Sequence, residues 1–178
     1  MSSLYSEIRG TIKTGDLVSW KAGKINSIFD FILYVYQKIL KPKSVHVGIV
    51  INVGDRLMVV EARPPAVRIF PLSMMENFDY VKTNIEEKSS NLDFLLRDVG
   101  VPYELMDVLK GIILESKSKD ELYCSEQCYN FYKEVGLLAD DKYIHAGRLP
   151  ETLVEAILKA TGNTFQHVII DREHLDAV

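Results

Sequence analysis

Residues 44–62, SVHVGIVINVGDRLMVVEA, constrain the fold more than any other segment. Two runs rich in Val and Ile flank Gly54 and Asp55, and a Gly-Asp pair in that position marks a hairpin with a two-residue loop. The loop sets the register. Val53 then faces Arg56, and counting back pairs Ile51 with Met58, Ile49 with Val60 and Val47 with Ala62. Side chains alternate between faces along a strand. Val45, Val47, Ile49 and Ile51 therefore form one apolar face, which must be core, and His46, Gly48 and Val50 form the other.

On that second face Gly48 meets Glu61 and His46 meets Arg63, so Glu61 is the diagonal neighbour of His46. A register shifted by two would set Glu61 directly opposite His46. In both cases imidazole and carboxylate share a face, with only Gly48 between them. A carboxylate beside a histidine fixes its tautomer and stabilises the imidazolium. The alternative is a surface His–Glu pair on a solvated sheet.

The remaining pattern is strands first, helices later. Short strands are expected at 16–20 (DLVSW), at 66–72 (AVRIFPL) and around 78–81. Helices are expected at 89–100, where a serine would cap and Gly100 would end the helix, and at 102–114 and 150–162, where proline sits near the first turn. A last strand is expected at 165–170 (FQHVII). This order predicts one α+β domain over residues 1–178 with an antiparallel sheet.

Residues 27–41, SIFDFILYVYQKILK, are apolar nearly all round and stop before Pro42. The segment is too short to span a bilayer and carries Asp30, Gln37 and Lys38. It reads as a buried or half-buried helix, a lid over a substrate, or a helix lying on a membrane surface.

Residues 121–138, ELYCSEQCYNFYKEVGLL, form a helix with Cys124 in its first turn. The positive end of the helix dipole and the unpaired N–H groups there favour a thiolate. The competing reading is a cysteine serving as a small apolar residue. Cys128 falls one turn further along the same face and reads as core.

Bulk properties narrow the function classes. The 178 residues suffice for one full hydrophobic core. The net charge of −4, with no basic block, gives no reason to expect nucleic-acid binding. Two cysteines make no disulfide framework, and four residues apart on one helix they lack further metal ligands nearby. The first residues contain no apolar signal core, so a reducing, cytoplasmic setting is expected; a viral protein released by lysis or carried in a particle fits the same features.

Taken together, GDLV at 15–18, SVHVGIVI at 44–51, VVEA at 59–62, VGVPYELMDVL at 99–109 and YCSEQ at 123–127 resemble the circularly permuted branch of the NlpC-type papain-like hydrolases, the YiiX-like group. The motifs occur in that family's order and cover most of the chain up to about residue 137. In the unpermuted family the cysteine helix precedes the strands; here histidine, polar residue and cysteine follow in that order. The family usually has serine directly before the histidine, whereas Val45 separates Ser44 from His46. The resemblance implies a permuted papain-like fold with a barrel-like sheet, and a cysteine helix whose N-terminus packs against the histidine face. It implies Cys124 as nucleophile, His46 as general base and acid, and Glu61 as the residue orienting His46. The layout also looks like that of the lecithin retinol acyltransferase group, which acts on lipid acyl groups.

Function follows as an expectation: a cysteine peptidase or amidase-type hydrolase that cleaves an amide or acyl bond through a thioester, with cell-wall-type peptides as one candidate substrate, and needs no cofactor or metal. Arg63 and Tyr123 are candidates for binding a peptide-like or acyl substrate. The alternatives are a lipid-directed acyltransferase or thioesterase, with residues 28–40 at a membrane surface, and a non-catalytic binding module on the same fold. No role is assigned to His145, His167 or His174, which have no carboxylate partner evident by pattern, and Trp20 is expected to pack at a strand end.

Overall fold

The computed structural model describes residues 2–23, 25, 27–75, 77–103, 124–139 and 149–171. Its centre is the hairpin of β3 (His46–Val53) and β4 (Arg56–Arg63), with Gly54 at φ +61° in the turn. Ile49 pairs with Val60, Val50 with Val59, Ile51 with Met58 and Val53 with Arg56, the register set by the two-residue loop. Gly48 is obligatory for a steric reason. A Cβ there would lie 2.5 Å from Val59 Cγ1 and 3.1 Å from the Val60 carbonyl oxygen.

Around the hairpin lie β1 (Ser2–Leu4), β2 (Leu17–Trp20), β5 (Ala66–Pro71), β6 (Phe78–Val81) and β7 (Gln166–Ile169). The strand order is β1-β7-β6-β2-β3-β4-β5. Two expectations need correction. The sheet is open, with β1 and β5 at its edges, rather than barrel-like. It is also mixed, because β1 runs parallel to β7 while every other pair is antiparallel. β1 has three residues, too few for an alternation to be read from sequence.

Helices α1 (Tyr5–Ile8), α2 (Ile28–Leu40), α3 (Ser89–Arg97), α4 (Cys124–Glu134) and α5 (Pro150–Thr161) complete the described chain. α3 begins at Ser89 after Lys88, with no side-chain cap, so the expected serine cap is not formed. The helix expected at 102–114 lies almost wholly outside the described residues. α2 has the cap its sequence promises: Ser27 Oγ accepts from the Asp30 N–H at 3.1 Å. It ends at Lys41 in the left-handed conformation, before Pro42.

The sheet is buried on both faces. One side packs Val47, Ile49, Ile51, Val60 and Ala62 against Cys128 and Phe131 of α4 and Leu153 and Ile157 of α5. The other packs Val18, Val50 and Val59 against Tyr5, Leu72, Met75 and Phe78. The face carrying His46 is therefore no solvated surface, because Tyr5, Leu72 and Met75, distant in sequence, close over it.

Two polar anchors fix the strand that flanks the histidine. Buried Asp16 accepts from Tyr80 Oη at 2.7 Å, from the Lys13 N–H at 2.9 Å and from the Thr83 N–H at 2.9 Å. Tyr132 of α4 donates its hydroxyl to the Gly15 carbonyl at 3.1 Å, tying the cysteine helix to the start of β2. Burial, and after it the charges of Cys128 and Asp16, push the Tyr132 pKa up, which keeps it a donor.

Candidate active site

His46 opens β3 and is completely buried, as is Glu61 on β4. Nε2 of His46 lies 2.8 Å from Oε2 of Glu61. The diagonal relation expected from the hairpin register brings the two together. The other carboxylate oxygen, Oε1, accepts from Nε and Nη2 of Arg68 at 2.8 and 2.6 Å. Arg68 is the direct cross-strand partner of Glu61 on β5. A buried carboxylate is costly unless both oxygens are satisfied, and here both are.

Burial works against the Glu61 carboxylate. The hydrogen bond and charge of His46, then the charge and hydrogen bond of Arg68, outweigh it and hold the Glu61 pKa down at about 2. Burial is also the largest single effect on His46, and it disfavours the imidazolium. The charge of Cys124 and a hydrogen-bonding interaction with it, followed by Glu61, overcome that burial and raise the His46 pKa to about 9. An ionised Glu61 only accepts, so Nε2 carries the ring proton and donates it, and in neutral His46 the bare nitrogen is Nδ1. Nδ1 is buried and has no partner of full hydrogen-bond geometry.

Cys124 is the first described residue of α4 and is buried, and α4 packs on β3 and β4. Cys128, one turn along, is completely buried. Burial first, then the charges of Cys124 and Glu61, push its thiol well above the ordinary range. The two cysteines lie one turn apart on one helix face. Gln127 is buried on that face, and neither its Nε2 nor its Oε1 has a hydrogen-bond partner.

Aromatic rings enclose the histidine. Trp20, cross-strand from His46, lies edge-on to it with ring centres 4.6 Å apart. Phe29 of α2 is edge-on at 6.2 Å and also meets Tyr103 at 5.3 Å. Ser44 is buried, and its hydroxyl donates to the His46 carbonyl at 3.2 Å. The serine thus supports the histidine backbone although Val45 separates them.

Arg63 is half-buried, forms an ion pair with Asp30 of α2, and lies over the Phe29 ring at 5.6 Å. It clamps the start of α2 to the end of β4. Tyr123, expected to line a cleft, lies outside the described residues, as do His145 and His174. His167 does have a carboxylate partner: its Nδ1 is 2.8 Å from Asp79 Oδ1, its cross-strand neighbour on β6, at an exposed position.

Sequence reasoning missed Arg68 and Tyr36. The strand register would have found Arg68, since pairing Arg63 with Ala66 across the Pro64-Pro65 turn sets Arg68 opposite Glu61. Tyr36 is raised in pKa by burial first, then by the charges of Glu151 and Cys124. Tyr36 of α2 therefore lies near both the thiol and Glu151 of α5, a tertiary fact with no local signal.

Among the described residues, no helix is long and apolar enough to cross a membrane. α2 nevertheless turns apolar side chains outward: Ile28 is 78 % exposed, Ile39 71 % and Phe31 53 %.

No family model matches the sequence, and no curated protein matches it. Among solved structures, the fold is similar to that of the metalloprotein YiiX from Escherichia coli O157:H7, DUF1105. The TM-score is 0.52 at 17 % identity, over 93 % of this chain and 92 % of that one. Among the described residues no group of three or more His, Cys, Asp or Glu is placed to hold one, and both Glu61 oxygens are already engaged. At this identity the likeness is one of fold: the chain has a YiiX-like α+β architecture.

Proposed function

We propose that this protein is a thiol hydrolase of the circularly permuted NlpC-type papain-like kind, which cleaves an amide or acyl bond with Cys124, His46 and Glu61. One observation carries the reading. Glu61 holds the Nε2 edge of a buried histidine, so the basic nitrogen left is Nδ1, and the residue acting most strongly on that ring is a cysteine at a helix start. Neutral imidazole with a fixed tautomer beside a thiol is the arrangement that generates a thiolate nucleophile.

In this reading His46 Nδ1 takes the Cys124 proton, and Sγ attacks the substrate carbonyl carbon. The tetrahedral oxyanion is stabilised by N–H groups of the first turn of α4. The C–N or C–O bond breaks, and His46 returns the proton to the leaving nitrogen or oxygen. The thioester then reacts with water, which gives a proton to His46; the acid leaves and the thiol is restored.

The test reads alkylation of Cys124 and Cys128 separately by mass spectrometry as a function of pH, in wild type and His46→Ala. Rapid reaction of Cys124 below pH 7, with an inert Cys128 and a slowed Cys124 in the variant, supports the proposal. Reaction of Cys124 only above about pH 8.5, as for an unperturbed thiol, with no dependence on His46, defeats it and leaves a binding module. Peptide amides and acyl esters offered to the active protein then distinguish the bond by which acyl adduct accumulates on Cys124.

A second reading concerns the substrate. Ile28, Phe31 and Ile39 form an exposed apolar side of α2, whose inner side places Phe29 against His46. That favours an acyl substrate drawn from a membrane surface. Sedimentation with phosphatidylcholine vesicles, lost in Phe31→Ser/Ile39→Ser, supports it; equal release of amine from soluble peptides by wild type and variant, with no vesicle binding, favours the peptidase reading.

A further inference from the structure

We infer that Arg68 is a positioning residue of this site: it keeps Glu61 an ionised acceptor, and so keeps His46 in the tautomer whose bare Nδ1 is available to Cys124. The inference rests on the hydrolase reading and extends it to a fourth residue.

The geometry is specific. Glu61 Oε1 receives two N–H groups from one guanidinium at 2.8 and 2.6 Å, while Oε2 meets His46 Nε2 at 2.8 Å. The carboxylate has no contact with water, because Glu61 is 0 % exposed. Arg68 is different: its side chain is 40 % exposed, stacks over the Phe70 ring at 5.0 Å and forms a wall of a cavity of about 240 Å³. Trp20, Asp30 and Arg63 line the same cavity. The guanidinium thus stays charged and hydrated on one side while it neutralises a buried anion on the other. Lysine would supply the charge without the planar fork.

Removing that charge changes what Glu61 can do. A buried carboxylate with one oxygen unpaired takes up a proton more readily. A protonated Glu61 donates to Nε2 of neutral His46, which moves the ring proton to Nδ1. That nitrogen is then a donor, and it cannot accept the proton of Cys124. The other ionisable groups around the pair would remain in place. They are His46 on β3, Cys124 and Cys128 on α4, and Tyr36 on α2, on which the charges of Cys124 and of Glu151 on α5 both act.

The experiment measures iodoacetamide alkylation of Cys124 from pH 4 to pH 9 in wild type, Arg68→Lys and Arg68→Met, with thermal unfolding of each. In Arg68→Met the acidic limb should move up by about one pH unit, which is about a tenfold slower reaction at a pH on that limb. Arg68→Lys should keep most of the wild-type profile. A purely structural role would lower the melting temperature and leave the pH profile alone, and that result overturns the inference. If Arg68→Met does not fold, Arg68→Lys is compared with wild type in the presence and absence of Glu61→Gln. An effect of the lysine substitution that disappears in the Glu61→Gln background supports action through Glu61, and an equal effect in both backgrounds overturns it. A wild-type Cys124 that is unreactive below pH 7 would instead remove the hydrolase reading, and Arg68's role with it.

Discussion

Trp20 lies edge-on to His46, ring centres 4.6 Å apart, and it is the only tryptophan in the chain. The pair is a built-in reporter. An imidazolium quenches indole emission more strongly than neutral imidazole does. Fluorescence should therefore be low at neutral pH and rise as the pH climbs through about 9, where His46 loses its proton. Cys124→Ser removes the strongest of the effects that raise the His46 pKa, so the rise should move to lower pH. A step near 6.5 in wild type, the value of an unperturbed histidine, would show that the thiol and carboxylate do not hold the imidazolium.

The same ionisations predict a stability profile. Glu61 has a folded pKa of about 2 against an ordinary 4.5, so its contribution is complete above 4.5 and is lost as the pH falls through 2. His46 has a folded pKa of about 9 against 6.5, so its contribution is complete below 6.5 and is lost as the pH rises through 9. Both are complete between those ordinary values. The melting temperature should be greatest between pH 4.5 and 6.5. Compared with Glu61→Gln, the wild-type advantage should shrink toward pH 2. An advantage independent of pH from 2 to 9 would contradict the assigned ionisations.

The reach of the sequence follows from what acts locally. Gly54-Asp55 is a two-residue loop with a set geometry, so the β3–β4 register and the meeting of His46 with Glu61 were readable before any coordinates. The stop of α2 before Pro42 and the glycine stop after α5 were readable for the same reason. The burial of His46 was not, because it needs Trp20 and Phe29 to converge on the ring from separate parts of the chain. The Arg63–Asp30 pair joins residues 33 apart in sequence, through the docking of a helix that hydrophobic periodicity leaves unplaced. Placing Cys124 beside His46 rests on the family resemblance, since no pattern in one sequence brings a helix to a strand face.

Gly48 tests how tightly the site is packed. Its missing Cβ would fall 2.5 Å from Val59 Cγ1, on the face between His46 and Glu61. Gly48→Ala must displace a buried side chain in a two-sided sheet, at a cost of about 1–3 kcal/mol. It should lower the denaturation midpoint and, by shifting β4, weaken the His46–Glu61 bond, seen as a lower pH for the fluorescence rise. A variant as stable as wild type would mean the strands separate more easily than their register suggests.

Gln127 gives the opposite sign. Its amide is 1 % exposed and makes no hydrogen bond with either end, so the folded protein bears the desolvation cost of two polar atoms. An unsatisfied buried polar group costs about 1–3 kcal/mol, and an apolar side chain of similar shape avoids that cost. Gln127→Leu should therefore raise the melting temperature, by roughly 2–4 °C for each kcal/mol recovered in a chain of this size. Helical side chains lean toward the N-terminus, so the amide is directed back toward the turn that carries Cys124. If it serves the site, Gln127→Leu will slow substrate turnover while leaving alkylation of Cys124 unchanged, because alkylation forms no oxyanion. Scanning calorimetry beside the alkylation assay separates the two effects, and a melting temperature below that of wild type would show that the amide is satisfied in solution.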